Sequence, residues 1–392
     1  MKMQQVRTKQ ELFPSADDFP LASPPEFHLN GISLSTPMEY LFMFPKRIRL
    51  FLLIPVLMTG LLSAQPLQQA AVVEGADMIL AVNMAELNQS PFMQAIEAQQ
   101  SPQIKAMRTQ QQERIQAAMG LKEEDILGYM LSFKLPDGLF SADFEPTPET
   151  LEALQFVLAV EVGRPLTLDD LQKGIELLQE DTPGSANVEK IELGGTPVLQ
   201  LNPQVEDADT PIEKAYVSVS DAGNVVLLTL NEASLTSAHA RLSGGQTATP
   251  GPGLIPALQG LEGNQIRMAL VLPAAARGAL AGTVQQMSAA DPMMGMMAAP
   301  FAGLSSITFS GNAAENLAMA LNIDIGNDMA AQQVAAMIQN FGPGIGGAAG
   351  PFVRKITTEA VGTVLRLSGI LSPEDMKPLT MEMDLEGMDD ME

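Results

Sequence analysis

"GLSSITFSGNAAENLAMALNIDI", residues 303–325, decides how this chain is read. Its second half alternates strictly, with Leu317, Met319, Leu321, Ile323 and Ile325 on one side and small or polar residues on the other. That period of two belongs to a strand with one buried face, and the preceding "SSITFSG" supplies an antiparallel partner. Working outward, Leu280, Val284 and Met287 before the hairpin mark one face of a helix. Val334, Met337, Ile338 and Phe341 after it mark another, which Gly342 and Pro343 stop. A strand at Ile266 to Leu272 precedes the first helix, and a last hairpin runs through "VRKITTEAVGTVLRL". The order is β-α-β-β-α-β-β.

The first half of the chain repeats this order with insertions. Met78 to Val82 reads as a strand, and Ser90-Pro91 and Ser101-Pro102 each combine an N-cap with proline in the first helical turn. "GYMLSFKL" and "FVLAVEV" are the next strands, and Thr167 caps a helix with its apolar stripe at Leu168, Leu171, Ile175 and Leu178. "VEKIELGGTPVLQL" then matches "VRKITTEAVGTVLRL": Lys190-Ile191 corresponds to Lys355-Ile356, and Gly195-Thr196 to Gly362-Thr363. The first half adds a hairpin, "KAYVSVSDAGNVVLLTL", and a helix to about Leu242.

These patterns predict an α+β protein. It is a tandem duplication of a β-α-β-β-α-β(-β) unit, each copy an antiparallel sheet with helices on one face, a ferredoxin-like two-layer sandwich. Unit 1 covers residues 75–243 and unit 2 residues 254–371, as separate cores. Residues 244–253, with their Gly, Ser, Thr and Pro content, are expected to be an accessible linker. Residues 372–392 are expected to be an acidic, methionine-rich, disordered tail.

"MFPKRIRLFLLIPVLMTGLLSAQP", residues 43–66, has a basic head, an apolar run from Leu50 to Met58 and small residues before Gln65. That layout is a signal peptide at 43–64, with cleavage between Ala64 and Gln65. The run is too short for a membrane-spanning helix, which needs about 20 apolar residues. Residues 1–42 are polar, proline-rich and aperiodic. They read as a disordered upstream segment, with translation starting at Met38 or Met43. The mature chain is expected in the periplasm or outside the cell, without a stable membrane anchor.

The whole chain carries 22 basic and 46 acidic residues; 6 and 5 of these lie in residues 1–64, leaving a mature net charge of −25. Such a surface repels nucleic acid and anionic lipid. There is no cysteine, so the exported chain has no disulfides and no lipidation site and rests on core packing.

Candidate chemistry is sparse. Beyond the leader there is one histidine, His239, and multi-histidine zinc sites and thiol nucleophiles are excluded. Ser237 lies two residues from His239, on a different helix face, so the two cannot share a proton. Gly342, Gly344 and Gly347 have G-x-G-x-x-G spacing, but they follow a helix and precede a strand, the reverse of a dinucleotide site. They read as a helix stop and a glycine-rich connection. Met293, Met294, Met296 and Met297 fall within five residues, a loop that suits protein contact and whose thioethers are also ligands for Cu(I). No acidic stretch has calcium-loop spacing. With no tryptophan, and Tyr129 and Tyr216 the mature tyrosines, the aromatic platforms of a sugar site are missing.

The expectation is a non-enzymatic binding or structural protein of the cell envelope, contacting other envelope or secreted proteins without a cofactor. Two alternatives remain: small-ligand or Cu(I) binding through residues 293–297, and a carboxylate-based hydrolase.

Overall fold

The computed structural model describes residues 69–136, 139, 155–181, 186–203, 214–341 and 354–377. Its elements, in chain order, begin with β1 (Met78–Asn83), α1 (Met84–Gln89), α2 (Pro91–Gln99), α3 (Pro102–Met119), β2 (Ile126–Lys134), β3 (Gln155–Val162) and α4 (Leu168–Asp181). Then come β4 (Ala186–Leu193), β5 (Thr196–Pro203), β6 (Ala215–Val219), β7 (Val225–Thr229), α5 (Glu232–Gly244) and α6 (Leu254–Gln259). The remainder is β8 (Ile266–Val271), α7 (Ala274–Ala290), α8 (Pro292–Ala298), β9 (Ser306–Ala313), β10 (Leu317–Asp324), α9 (Asp328–Phe341), β11 (Ile356–Val361) and β12 (Val364–Leu371). The leader, its Ala64–Gln65 junction and residues 1–42 lie outside the described residues, as do Gly342, Gly344 and Gly347.

Local chemistry sets the helix ends as the sequence indicates. Ser90 and Ser101 accept hydrogen bonds from the backbone N–H of Met93 and Ile104, with Pro91 and Pro102 opening the helices behind them. At the start of α4 the Thr167 hydroxyl accepts from Asp170 N–H while the Asp170 carboxylate accepts from Thr167, which holds that carboxyl below its usual range.

The mixed α+β class holds, but the arrangement differs from two ferredoxin-like sandwiches. The twelve strands among the described residues belong to one antiparallel sheet, in the order β11-β12-β10-β9-β8-β1-β2-β3-β7-β6-β5-β4. In both halves the first strand pairs with the second: β1 with β2, and β8 with β9. A ferredoxin-like unit would seat its first strand between its third and last. The halves meet at β1 and β8, antiparallel, with Leu80 opposite Met268 at the centre of the ladder. The added hairpin β6–β7 is not an appendage. It is inserted into the sheet between β3 and β5, the place where β10 in the second half meets β12 directly.

Helices also lie on both faces of the first half rather than on one. One buried cluster holds Val157, Ala159, Val225, Leu227, Tyr216 and Val198 under α5, α6 and residues 71–76. The opposite cluster holds Leu158, Val160, Val226, Leu228, Val217 and Leu199 under α4 and the end of α3. Consecutive residues of β3 and β7 alternate between these two cores, so both strands are buried on both sides. In the second half α9 covers one face, where Val334 and Ala335 pack with Ile325 and Leu365.

The cores are not separate. Leu254 and Ala269 from the second half complete the cluster formed by Val72, Ala76 and Ile79. The segment expected to be an open linker packs against the entry to β1: Ala248 is buried, Gly75 N–H donates to Thr249 O at 2.8 Å, and Gly251 N–H donates to Ala76 O at 2.7 Å. A Cβ at position 251 would sit 2.9 Å from that Ala76 carbonyl, so glycine is needed there for close approach. The tail also begins in an ordered way. Ser372 opens a helical turn at 373–377: its N–H and Oγ donate to the Asp375 carboxylate, its carbonyl accepts from Asp375 N–H, and the same carboxylate also takes Lys355 Nζ at 2.5 Å.

Candidate functional site

The alternation that built the hairpin at 303–325 continues through the cross-strand registers as rows of apolar side chains on one sheet face. One row runs Leu228, Leu158, Leu131, Leu80. It goes on across the seam as Met268, Phe309, Leu321 and Leu367. The next row runs Phe156, Phe133, Met78, Leu270, Ile307 and Ile323. Phe133 and Phe156 stack at the near end with ring centroids 5.6 Å apart.

Burial along these rows is uneven. Leu228 and Leu158 lie under α4 and α3, and Leu365 lies under α9. Between those flanks, Leu131, Leu80, Met268, Phe309 and Leu321 are all partly exposed, as are Phe133, Met78, Leu270 and Ile307. At 4.8 Å per strand these partly exposed residues, from β2 to β10, span ~19 Å, and their two rows have a footprint on the order of 300 Å². Among the described residues no charged side chain of these strands interrupts this apolar strip. The reverse face of the same outer strands is polar: Asn322 donates to Thr308 Oγ1, Arg366 donates to Asn322 Oδ1, and Glu359 pairs with Arg366.

A second concavity, of about 380 Å³, lies between the start of α4, the β6–β7 turn and α5, lined by Leu166, Thr167, Pro197, Asp221, Gly223 and His239. His239 is buried, with Nε2 3.1 Å from the Val219 carbonyl oxygen, so this nitrogen carries the proton and is already engaged. Asp221 Oδ1 lies 3.8 Å away, and its other oxygen accepts from Ser243 Oγ at 2.5 Å. Ser220 Oγ bonds to Asn224 and accepts from Val225 N–H. Ser237 is exposed on another face of α5. The groups that converge here hold the inserted hairpin to the helix, and the hydroxyls of Thr167 and Ser220 that line the same concavity are engaged with Asp170 and Asn224.

Glu161, on β3, escaped the sequence reading. Burial pushes its carboxyl above the ordinary range, and its Oε2 has no hydrogen-bond partner among the described residues. It lies on the face of β3 that carries Val157 and Ala159, opposite to the apolar strip. Among the described residues there is no group of three or more His, Cys, Asp or Glu able to hold a metal ion. None of their helices is long and apolar enough to cross a membrane. The methionine stretch is a helix rather than a loop: Met293, Met294, Met296 and Met297 belong to α8, and Met296 is exposed.

No family model matches this sequence. No curated protein matches it either. Among solved structures it is similar to TP0453 in its crystal form I, at 14% identity and a TM-score of 0.38, over 81% of this chain and 98% of that one. So loose a superposition brings nothing to the account of this chain.

Proposed function

We propose that the mature chain is an exported, non-enzymatic binding or structural component of the cell envelope, and that it works through protein contacts made by the open apolar strip. The observation that carries this reading is the strip itself: charge-free rows of partly exposed Leu, Met, Phe and Ile at the centre of an acidic molecule. An apolar patch of about this size is comparable to the largest on a typical monomer, and such patches are often functional. The methionines at positions 78 and 268 suit a surface that adapts to its partner, because the thioether chain is unbranched and soft. Export rests on the leader at 43–64, with Gln65 as mature N-terminus and the periplasm or cell exterior as destination.

The same proposal takes the two halves as copies of one unit. Three-strand meanders β1-β2-β3 and β8-β9-β10 support it, and so do outer hairpins with two-residue turns, in which Leu193 pairs with Thr196 and Val361 with Val364. Gly194 and Gly362 occupy the same left-handed turn position, at φ 60° and 58°. The register therefore aligns Gly362 with Gly194, one residue from the sequence match with Gly195.

A photo-crosslinking amino acid placed in vivo at Leu80, Met268 or Phe309, and for comparison at Thr308 or Ser310 on the polar face, tests the contact. The expected result is one discrete envelope protein crosslinked from strip positions and not from the polar face. Equal crosslinking from both faces, or none from the strip, overturns it. N-terminal sequencing of the exported chain should read from Gln65.

A further inference from the structure

We infer that the chain associates with a second copy of itself along the sheet edge β4, antiparallel and about a two-fold axis at Ile191, so that two sheets join into one. The surface is a strand edge rather than the apolar strip, and the inference does not depend on the function proposed above.

The sheet has two edge strands, β11 and β4, and they are finished differently. Both belong to hairpins with two-residue turns, so the pair beside each turn is hydrogen-bonded and the bonding alternates from there. On β11 this alternation turns the backbone groups of Thr358 outward, and Gln339 of α9 closes that place by donating from Nε2 to Thr358 O at 2.7 Å. On β4 it turns outward the N–H and C=O of Val188, Lys190 and Glu192. Among the described residues no hydrogen bond reaches these groups. Glu189, Lys190 and Glu192 are exposed, and all 8 residues of β4 pair with β5 without a bulge. A regular, open edge of this kind accepts another strand.

The charges choose the occupant. An antiparallel strand must set its own outward groups against Val188, Lys190 and Glu192, which leaves a second copy few two-fold registers. Those centred on Glu189, Lys190 or Glu192 bring like charges face to face, which is destabilising. Centring on Val188 leaves Lys190 and Glu192 unmatched. Centring on Ile191 places Lys190 opposite Glu192 of the second copy, and Glu192 opposite its Lys190. These are the hydrogen-bonded pairs, about four backbone bonds in all, and between them Ile191 meets Ile191 of the second copy in the close, non-hydrogen-bonded position, with Cα atoms ~4.5 Å apart.

Lysine on an edge strand ordinarily deters pairing. Here the glutamate two residues further on turns that guard into a match. Lys190 already pairs with Asp169 of α4, yet both side chains stay exposed and the ammonium has donors to spare. The net charge of −25 on each chain acts at range and is screened beyond ~8 Å at physiological salt, whereas the Lys190–Glu192 pairs are in contact. An edge this short buries less than the ~1,200 Å² of a tight complex, so the dimer is weak, with a dissociation constant on the order of micromolar or above.

The chain has no cysteine, so single cysteines report the register directly. In the mature protein, Ile191→Cys should form a disulfide-linked dimer under mild oxidation at least about tenfold faster than Asn187→Cys, which lies on the same face of the same edge but would stand ~27 Å from its counterpart. Sedimentation should show a concentration-dependent dimer. Lys190→Glu and Glu192→Lys should each weaken it roughly tenfold, because each turns two attractive pairs into two repulsive ones. The two changes together should restore it, since the exchange recreates the match, and general damage to the fold would not be rescued in this way. A monomer at every concentration up to ~1 mM, equal disulfide rates at positions 187 and 191, or a double variant no tighter than the single ones would overturn the inference.

Discussion

Replacing Gly303 by alanine should weaken the fold, whereas the same change at Gly278 should strengthen it. Gly303 ends the 3-10 turn Ala299–Gly303, and a Cβ built on it falls 2.4 Å from the backbone oxygen of Ile325 and 3.5 Å from its carbon. That is roughly 1 Å inside ordinary van der Waals contact. The obstacle is main chain, held where Ile325 N–H donates to Thr363 O at 3.0 Å, and the Ile325 side chain is fully buried against α9, so relief requires the strand end to move. Overpacking of this kind costs about 1–3 kcal/mol, offset by about 0.4–1 kcal/mol from the stiffer unfolded chain. The net loss is therefore ~1–2 kcal/mol. At Gly278, within α7, a Cβ meets nothing within 4 Å, and the helix gains about 0.5–1 kcal/mol from alanine. With a urea slope of ~3 kcal/mol/M, the unfolding midpoint should fall by about 0.3–0.7 M for G303A and rise by about 0.2–0.3 M for G278A. Midpoints that move in the same direction would refute the contact reasoning.

Three further outcomes follow from named contacts. Arg241 donates to the carbonyls of Ala70 and Val72, both buried, so Arg241→Ala should strip those acceptors of their partner. The cost should be about 1–3 kcal/mol, with hydrogen exchange accelerating first in residues 70–76. Lys355 and Ser372 hold the Asp375 carboxyl down to about 2, below the ~3.9 of an unfolded chain. A depressed carboxyl stabilises above its unfolded pKa, so anchoring of the 372–377 turn should be complete above about pH 4 and lost as pH falls toward 2; Asp375→Asn should abolish that pH dependence in hydrogen exchange. A protease site engineered between Gly245 and Gln246, both exposed, should be cut while the fragments stay together on gel filtration, because the sheet crosses the cut at β1 and β8.

Periodicity made most elements legible, since a strand with one wet face announces itself as Leu317, Met319, Leu321, Ile323 do. Strand order was not legible, because the β6–β7 hairpin carries no mark saying that it enters the sheet between β3 and β5. One available signal went unused. "FVLAV" in β3 and "VVLL" in β7 are unbroken apolar runs, the pattern of strands covered on both sides, and both have helices on either face. Glycine misled in the other direction: Gly251 marks close backbone approach to Ala76, not a loose joint. The strip could not be read from sequence, because Leu228 and Leu80 share a row and a residue type, and only the helix over one of them separates buried from open.

The seam between β1 and β8 also has a consequence for how the chain comes into being. Leu80 must wait for Met268, roughly 190 residues later, before its strand has a neighbour on both sides, and the cluster around Ile79 stays open until Leu254 and Ala269 arrive. While the chain is still emerging from the ribosome, its first core lacks one wall and β1 offers a bare strand edge. A nascent chain built this way completes its first core late, and until then it must be kept from pairing its bare strand edge with other chains.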